Sequence, residues 1–164
     1  MLLPSLSAAE RFVTNESNGF TWIQQGKAYP ILVDSQEDKG VLRAVANLQT
    51  DAGKVTGATP EIIHSPSGNR ILIVGSVENS SWIKQLVQAG KIPAADLKGK
   101  REKYILQTVK QPVEGVEEAI VIAGSDKRGT IYGIYELSRQ MGVSPWYFWA
   151  DVPVEKHNII SIKE

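Results

Sequence analysis

The apolar residues of this chain first follow a helical pattern in "DSQEDKGVLRAVANLQTDAGKVTGATP", residues 34–60. Ser35 with Asp38 resembles a capping box at the start of this helix, Gly57 suits the position just after it, and Pro60 prevents its continuation. Alternating steps of four and three residues join the apolar positions into one stripe, which predicts an amphipathic helix. The stripe comprises Val41, Val45, Leu48, Ala52 and Val55.

Two further segments predict helices. "NSSWIKQLVQAG" begins with Ser80 or Ser81 as a candidate cap and ends at Gly90. The second, "GSDKRGTIYGIYELSRQMG", ends at Gly142. Its apolar stripe consists of Ile131, Ile134, Leu137 and Met141.

Two glycines of this last helix, Gly129 and Gly133, are four residues apart and share a face. Glycine inside a helix costs about 1 kcal/mol relative to alanine. We therefore expect this face to approach another backbone closely, where a side chain would not fit.

Short apolar runs between the helices predict strands. "AIVIAG", residues 119–124, is apolar throughout, which is typical of a central strand covered on both faces. "EIIHS" and "RILIVG" flank the turn-rich "PSGN" and are candidates for a hairpin. The remaining runs are "YPILVD", "KYILQTVK" and "NIISIK". Strands interleaved with three helices predict an α/β layer fold with a mixed sheet.

Composition limits the classes of function. The chain has 164 residues, about one domain, and its 18 Lys+Arg balance 18 Asp+Glu. This balance argues against a nucleic-acid partner, because proteins that bind nucleic acids usually contain more Lys and Arg than Asp and Glu. No cysteine is present, which excludes disulfides and thiolate metal sites. No apolar run approaches the length of a membrane span. The first residues lack a basic n-region and a long apolar h-region, so we do not expect them to act as a signal peptide.

The stretch "GSDKRG" has the layout of a phosphate cradle, a strand followed by a glycine turn, two cations and a helix start. It lacks the spacing of a P-loop or a dinucleotide fingerprint. Lys127 and Arg128 could still help the helix N-terminus to hold an anion. The alternative, which we favour, is that Ser125 or Asp126 caps the helix.

Other catalytic chemistry has little support in the sequence. The carboxylates are scattered along the chain, and the sequence does not show that Asp126, Glu136 and Asp151 converge as an acid–base pair. His64 and His157 are isolated and do not form a metal-binding motif. We therefore predict neither a metal nor a cofactor.

Four contiguous aromatic residues occur in "SPWYFWADVP". Alternate residues of a strand face opposite sides, so all four cannot enter one core. Trp146, Tyr147 and Trp149 are thus candidates for a domain interface, with core packing and stacking on a sugar as alternatives.

The segment "IAGSDKRGTIYGIYELSRQMGVSPWYFWADVPV" resembles glycoside hydrolase family 115, the xylan α-glucuronidases, near their N-terminus. The resemblance continues upstream in the same order through "PILVDSQEDKGVLRAVANLQTDAGKVTGATP", "ILIVGSVENSSWIKQLVQAGKI" and "LKGKREKYILQTVKQPVEGVEEAIVIAG". It extends over about Tyr29 to Val154.

The resemblance implies that residues 1–28 are a lead-in segment and that residues 29–164 form a single α/β accessory domain. This domain would resemble the N-terminal domains of β-hexosaminidases and α-glucuronidases, and would precede a catalytic (β/α)8-type barrel. The active site lies in the barrel, so no catalytic residue of the family can be assigned to this chain. The parent enzyme would remove α-1,2-linked glucuronic or 4-O-methylglucuronic acid from glucuronoxylan. We expect no hydrolysis by the chain alone.

Two other functions stay open on the sequence. The aromatic residues 146–149 could serve a carbohydrate-binding module that takes xylo-oligosaccharides, and residues 125–129 could serve an anion-binding α/β domain. The partner that the resemblance implies is the barrel of the same polypeptide, with neither nucleic acid nor membrane. A polymeric substrate further implies a periplasmic or secreted protein.

Overall fold

The computed structural model describes residues 10–144 and 152–163 of the chain. Three helices lie in this part, α1 (Lys39–Thr56), α2 (Ser81–Gln88) and α3 (Lys127–Met141). Strands are numbered in chain order: β1 (Val13–Thr14), β2 (Phe20–Gln24), β3 (Lys27–Ala28), β4 (Ile31–Val33), β5 (Ile62–Ile63), β6 (Arg70–Ser76), β7 (Tyr104–Lys110), β8 (Glu118–Gly124) and β9 (Ile159–Ile162). The prediction of a mixed α/β fold with three helices is confirmed.

Five strands form the larger sheet in the order β5-β4-β6-β8-β7. The first four are parallel, and only β7 is antiparallel to its neighbour β8. The suggested hairpin of "EIIHS" and "RILIVG" is wrong, because β4 lies between β5 and β6 and pairs with both in parallel.

Helices cover both faces of this sheet. Ile120 and Ile122 of β8 pack in the cluster that contains the inner sides of α1 and α3. Val121 of the same strand packs on the opposite side, with Ile83 and Leu86 of α2. Alternate residues of an apolar strand thus enter two cores, which confirms β8 as a central strand covered on both faces.

A second sheet has the order β1-β9-β2-β3 and is antiparallel. Its apolar residues, the buried Trp22 among them, join the α1/α3 side of the core. The Trp22 indole N–H donates to the carbonyl oxygen of Tyr29 over 2.8 Å. The sequence analysis predicted β9 but none of the three strands before residue 29. β1 and β3 have two residues each, and a register shift between Thr21 and Ile23 interrupts the alternation of β2.

The helix ends follow capping chemistry, with one correction. Asp38 is the N-cap of α1 and accepts from the Gly40 amide at 2.8 Å, so the expected start at Ser35 is wrong. Ser80 caps α2. Gly57 adopts the left-handed conformation after α1, with φ 78°, as predicted. No helix in the described ranges is long and apolar enough to cross a membrane.

Candidate functional site

The candidate phosphate cradle at the start of α3 is filled by the chain itself. Asp126 is the N-cap, and its Oδ1 accepts from the Gly129 amide at 2.7 Å. Its Oδ2 accepts from the Glu102 amide at 2.9 Å. Burial alone would raise the pKa of Asp126, but these backbone hydrogen bonds and the charge of Arg128 lower it below its ordinary value. A carboxylate therefore occupies the position that an external anion would take.

Both cations beside this cap are paired. The Arg128 guanidinium lies 2.9 Å from Glu102 Oε1, and Lys127 Nζ lies 3.8 Å from Asp38 Oδ2. Ser125 does not cap the helix, since its hydroxyl instead accepts from the Lys103 amide at 3.0 Å. These groups join α3 to α1 and to the loop before β7 rather than converging on an open cavity.

The two glycines of α3 face β7 and β8. A Cβ on Gly129 would lie 2.1 Å from the carbonyl oxygen of Lys103. One on Gly133 would lie 2.8 Å from Ile122 Cγ2 and 2.9 Å from Tyr104 Cδ2. The close approach to another backbone holds for Gly129, whereas Gly133 makes room for two side chains.

Carboxylates also fill the crevice at the carboxyl ends of β4 and β6, where α1 and α2 leave towards opposite faces. Such a crevice is the usual ligand site of an open α/β sheet. Here Glu37 accepts from the Ser76 amide at 2.9 Å and from its hydroxyl at 2.8 Å. Asp34 Oδ2 accepts from the amide and the hydroxyl of Ser81. Burial would raise the pKa of Asp34, but the Ser81 and Gln36 hydrogen bonds lower it.

The remaining acids and histidines are dispersed among the described residues. Glu136 is held by Arg139 at 2.6 Å, and this partner lowers its pKa. His64 is exposed at the end of β5, and His157 lies 3.2 Å from Glu155. In residues 10–144 and 152–163 no group of three His, Asp or Glu side chains is arranged to hold a metal ion. Asp151 lies outside these ranges.

The outward side of α1 and α3 is different in character. Tyr132 and Tyr135 of α3 are 49% and 44% exposed, and with Val152 they are the large apolar side chains that stand out from the described surface. Asn47 of α1 donates to the Tyr135 hydroxyl over 3.0 Å, which joins the two helices. We call this surface, centred on Asn47, Tyr132 and Tyr135, the outer helix face.

A pocket of about 360 Å³ opens on the outer helix face between α1 and α3. Asp51 and Ser138 line it, 7% and 4% exposed respectively. Burial raises the pKa of Asp51, against the lowering effects of Ser138 and Lys54. Yet the Ser138 hydroxyl is the one buried side-chain polar atom in the described part of the chain that makes no hydrogen bond of normal geometry.

The sequence analysis did not identify Asp51 or Ser138. Asp51 follows Leu48 by three residues and so lies on the apolar side of α1. A charged residue on the apolar side of a predicted helix is unusual, and this feature of Asp51 could have indicated the pocket from the sequence. The predicted interface residues Trp146, Tyr147 and Trp149 lie outside the described residues, which stop at Ser144 and resume at Val152. Their role as interface residues stays a prediction.

The fold and these contacts define an α/β domain in which Asp34, Glu37 and Asp126 are bonded to the domain's own backbone and serines. Residues 23–137 match the family described as "Glycosyl hydrolase family 67 N-terminus". The chain therefore belongs to this family of N-terminal domains. A search of curated protein sequences gives no significant match.

Three solved structures are similar to this chain. A family GH115 4-O-methyl-α-glucuronidase, BtGH115A, described as having specificity for decorated arabinogalactans, matches with 34% identity and a TM-score of 0.70. The match covers 88% of this chain and 17% of that enzyme. CpGH84D matches over 92% of this chain and 22% of its own, with 10% identity and a TM-score of 0.50, which shows a shared fold. A GH20 β-N-acetylhexosaminidase from Streptomyces coelicolor A3(2) matches with 16% identity, 88% and 23% coverage and a TM-score of 0.46.

Proposed function

We propose that this chain is the non-catalytic N-terminal domain of a family 115 α-glucuronidase, which removes glucuronic or 4-O-methylglucuronic acid from glucuronoxylan. The observation that carries the proposal is the 34% identity to BtGH115A over 88% of this chain. That match uses only 17% of the enzyme, which leaves ample chain for a separate catalytic domain.

The geometry of the acids supports a role without catalysis. Hydrolysis of a glycoside usually requires two carboxyl groups that face one substrate cleft. Asp34, Glu37 and Asp126 instead accept hydrogen bonds from the backbone and from serines of their own domain. These acids stabilise strand ends and helix starts and are not directed at a ligand.

The outer helix face is the surface that we assign to contact with the catalytic barrel. Exposed tyrosines are common anchors of protein interfaces, because they bury a large apolar area and keep a polar end. Tyr132, Tyr135 and Arg139 recur at intervals of three and four residues, so they lie on one side of α3. The opposite face of the sheet is already covered by α2.

The contact can be tested by mixing this chain with the barrel domain of the parent enzyme, produced as a separate polypeptide. We expect a complex in size-exclusion chromatography that Tyr132→Glu weakens at least tenfold. Gln85→Glu is the matched control, because it places the same charge on an exposed position of α2. A complex that Gln85→Glu disrupts and Tyr132→Glu leaves intact would refute the assignment of the face.

The proposed substrate also suggests where the protein acts. Polymeric glucuronoxylan fragments are too large for free entry into the cytoplasm, so we propose a periplasmic or secreted location.

A further inference from the structure

The pocket between α1 and α3, which we call the Asp51–Ser138 pocket, has the properties of a site that binds one inserted side chain. Its volume of about 360 Å³ falls at the lower end of the range of ligand pockets, roughly 300–1,000 Å³. Its lining includes Asn47, Asp51, Tyr135, Ser138, Arg139 and Val143.

The polar groups inside the pocket call for a hydrogen-bond donor. A buried hydroxyl without a well-formed hydrogen bond is rare in a folded protein, and Ser138 Oγ makes none of normal geometry among the described residues, although Asp51, whose pKa it lowers, is its neighbour. Asp51 lies beside it, buried, and the carboxylate can accept several hydrogen bonds. An N–H or O–H that entered the pocket would find two acceptors.

The other polar side chains that line the pocket already have partners, Thr50, Lys54 and Ser144 among them. Asn47 donates to Tyr135, and Arg139 forms two hydrogen bonds with Glu136 at 2.8 and 2.6 Å. A side chain that enters the pocket therefore contacts a mainly apolar wall and reaches the hydrogen-bond acceptors Asp51 and Ser138 at its buried end. This combination suits an aromatic ring that carries a donor, as tryptophan and tyrosine do.

We infer that the Asp51–Ser138 pocket receives a tryptophan or tyrosine side chain from the neighbouring catalytic domain, whose N–H or O–H donates to Asp51 and Ser138. The inference rests on the proposed function, because it names the anchor of that contact. Its support is the exposed Tyr135, which lines the pocket and belongs to the outer helix face, together with the small part of BtGH115A, 17%, that this chain covers.

The pocket can be probed without the barrel, with indole and N-methylindole as ligands. The two have nearly the same shape, but only indole carries an N–H donor. In two-dimensional NMR spectra of the ¹⁵N-labelled chain, we expect indole to shift amide signals of residues 47–54 and 135–144. N-methylindole should bind about two- to tenfold more weakly, the usual range for one neutral hydrogen bond.

Variants sharpen the comparison. Ser138→Ala should reduce the preference for indole over N-methylindole, whereas the exposed Ser67→Ala should leave it unchanged. Equal affinity of the two ligands for the unaltered chain would overturn the inference, and so would shifts confined to other residues. That ligand comparison needs no variant, so a folding defect of Ser138→Ala cannot obscure it.

Other occupants would give different results. Xylobiose that shifts the same amides more strongly than indole would assign the pocket to a carbohydrate and overturn the inference. Indole binding that appears only after Trp146→Ala would assign the pocket to residues 145–151 of this chain, and would also overturn the inference.

Failure of indole to bind, alongside an intact complex with the barrel, would reject the pocket as the anchor and keep the proposed function. Indole binding without any complex would reject the proposed function.

Discussion

Gly129 in α3 lies so close to Lys103 that an added Cβ would sit 2.1 Å from the Lys103 carbonyl oxygen and 2.8 Å from its carbonyl carbon. The amide of Ser125 also donates to this carbonyl, over 2.8 Å. The start of α3 is thus packed directly on the backbone that leads into β7. This contact explains why a residue of poor helix propensity stands in the first turn of α3.

Gly129→Ala should therefore destabilise the domain despite the better helix propensity of alanine. Backbone atoms of Lys103 cannot move aside as a flexible side chain can, and we expect a loss of about 2 kcal/mol or more. Urea denaturation followed by circular dichroism measures it. Gly40→Ala is the control, because its new Cβ would meet only the side chains of Asp38 and Ile131, at 3.1 and 3.3 Å. A Gly129→Ala variant as stable as the unaltered chain would contradict the packing.

The Asp126 cap predicts a loss of stability in acid. Its pKa is lower in the folded chain than its ordinary value of about 4, so the ionised carboxylate favours folding. This contribution is complete above the unfolded pKa and disappears as the pH falls through the folded pKa. Asp126→Ala should cost about 1–2 kcal/mol at pH 7, and this cost should shrink as the pH falls through the folded pKa. Denaturation curves at pH 7 and at a series of lower pH values test this, and a cost that does not change with pH would exclude the charged cap.

Asp51 predicts the opposite dependence on pH. Burial raises its pKa in the folded chain, so ionisation opposes folding. The penalty is absent below the ordinary pKa of about 4 and grows as the pH rises through the folded pKa. Asp51→Asn should therefore gain stability relative to the unaltered chain between pH 3 and pH 7. Thermal unfolding at a series of pH values measures the gain, and a constant difference would contradict it.

Glu37 connects the start of α1 with the end of β6. Glu37→Ala would leave the amide and hydroxyl of buried Ser76 without their acceptor. We expect a loss of about 2–3 kcal/mol, since a buried unsatisfied donor costs about 1–3 kcal/mol. The exposed Glu114→Ala serves as the control and should change the free energy of unfolding by less than about 0.5 kcal/mol. Equal effects of the two substitutions would show that the buried contact does not stabilise the fold.

Periodicity was sufficient to predict the large helices and the central strand. The stripe from Val41 to Val55 and the apolar run 119–124 are long enough to exclude other structures. The five residues of the stripe, Val41, Val45, Leu48, Ala52 and Val55, are all buried. The capping residues could be predicted only to within a few positions. Ser35 and Asp38, like Ser125 and Asp126, both suit a helix start. Asp38 and Asp126 cap through bonds to the amides of Gly40 and Gly129, and the Ser125 hydroxyl is engaged by the distant Lys103 amide.

Long-range contacts account for what the sequence did not predict. β1 has two residues, and Gln140 of α3 fixes its position by accepting from the Phe12 and Val13 amides at 2.8 and 3.1 Å. The sequence around Val13 contains no pattern that would predict its contact with Gln140, 127 residues further along the chain. The Asp51–Ser138 pocket likewise arises only when two helices far apart in the chain pack together.

The central claim, that this domain supports a glycosidase without performing its chemistry, is tested most directly by incubating the purified chain with glucuronoxylan. Released glucuronic and 4-O-methylglucuronic acid are then measured by anion-exchange chromatography, with a complete family 115 enzyme as the positive control. We predict no release above the level of the buffer blank. Release that rises with the concentration of this chain would contradict the claim.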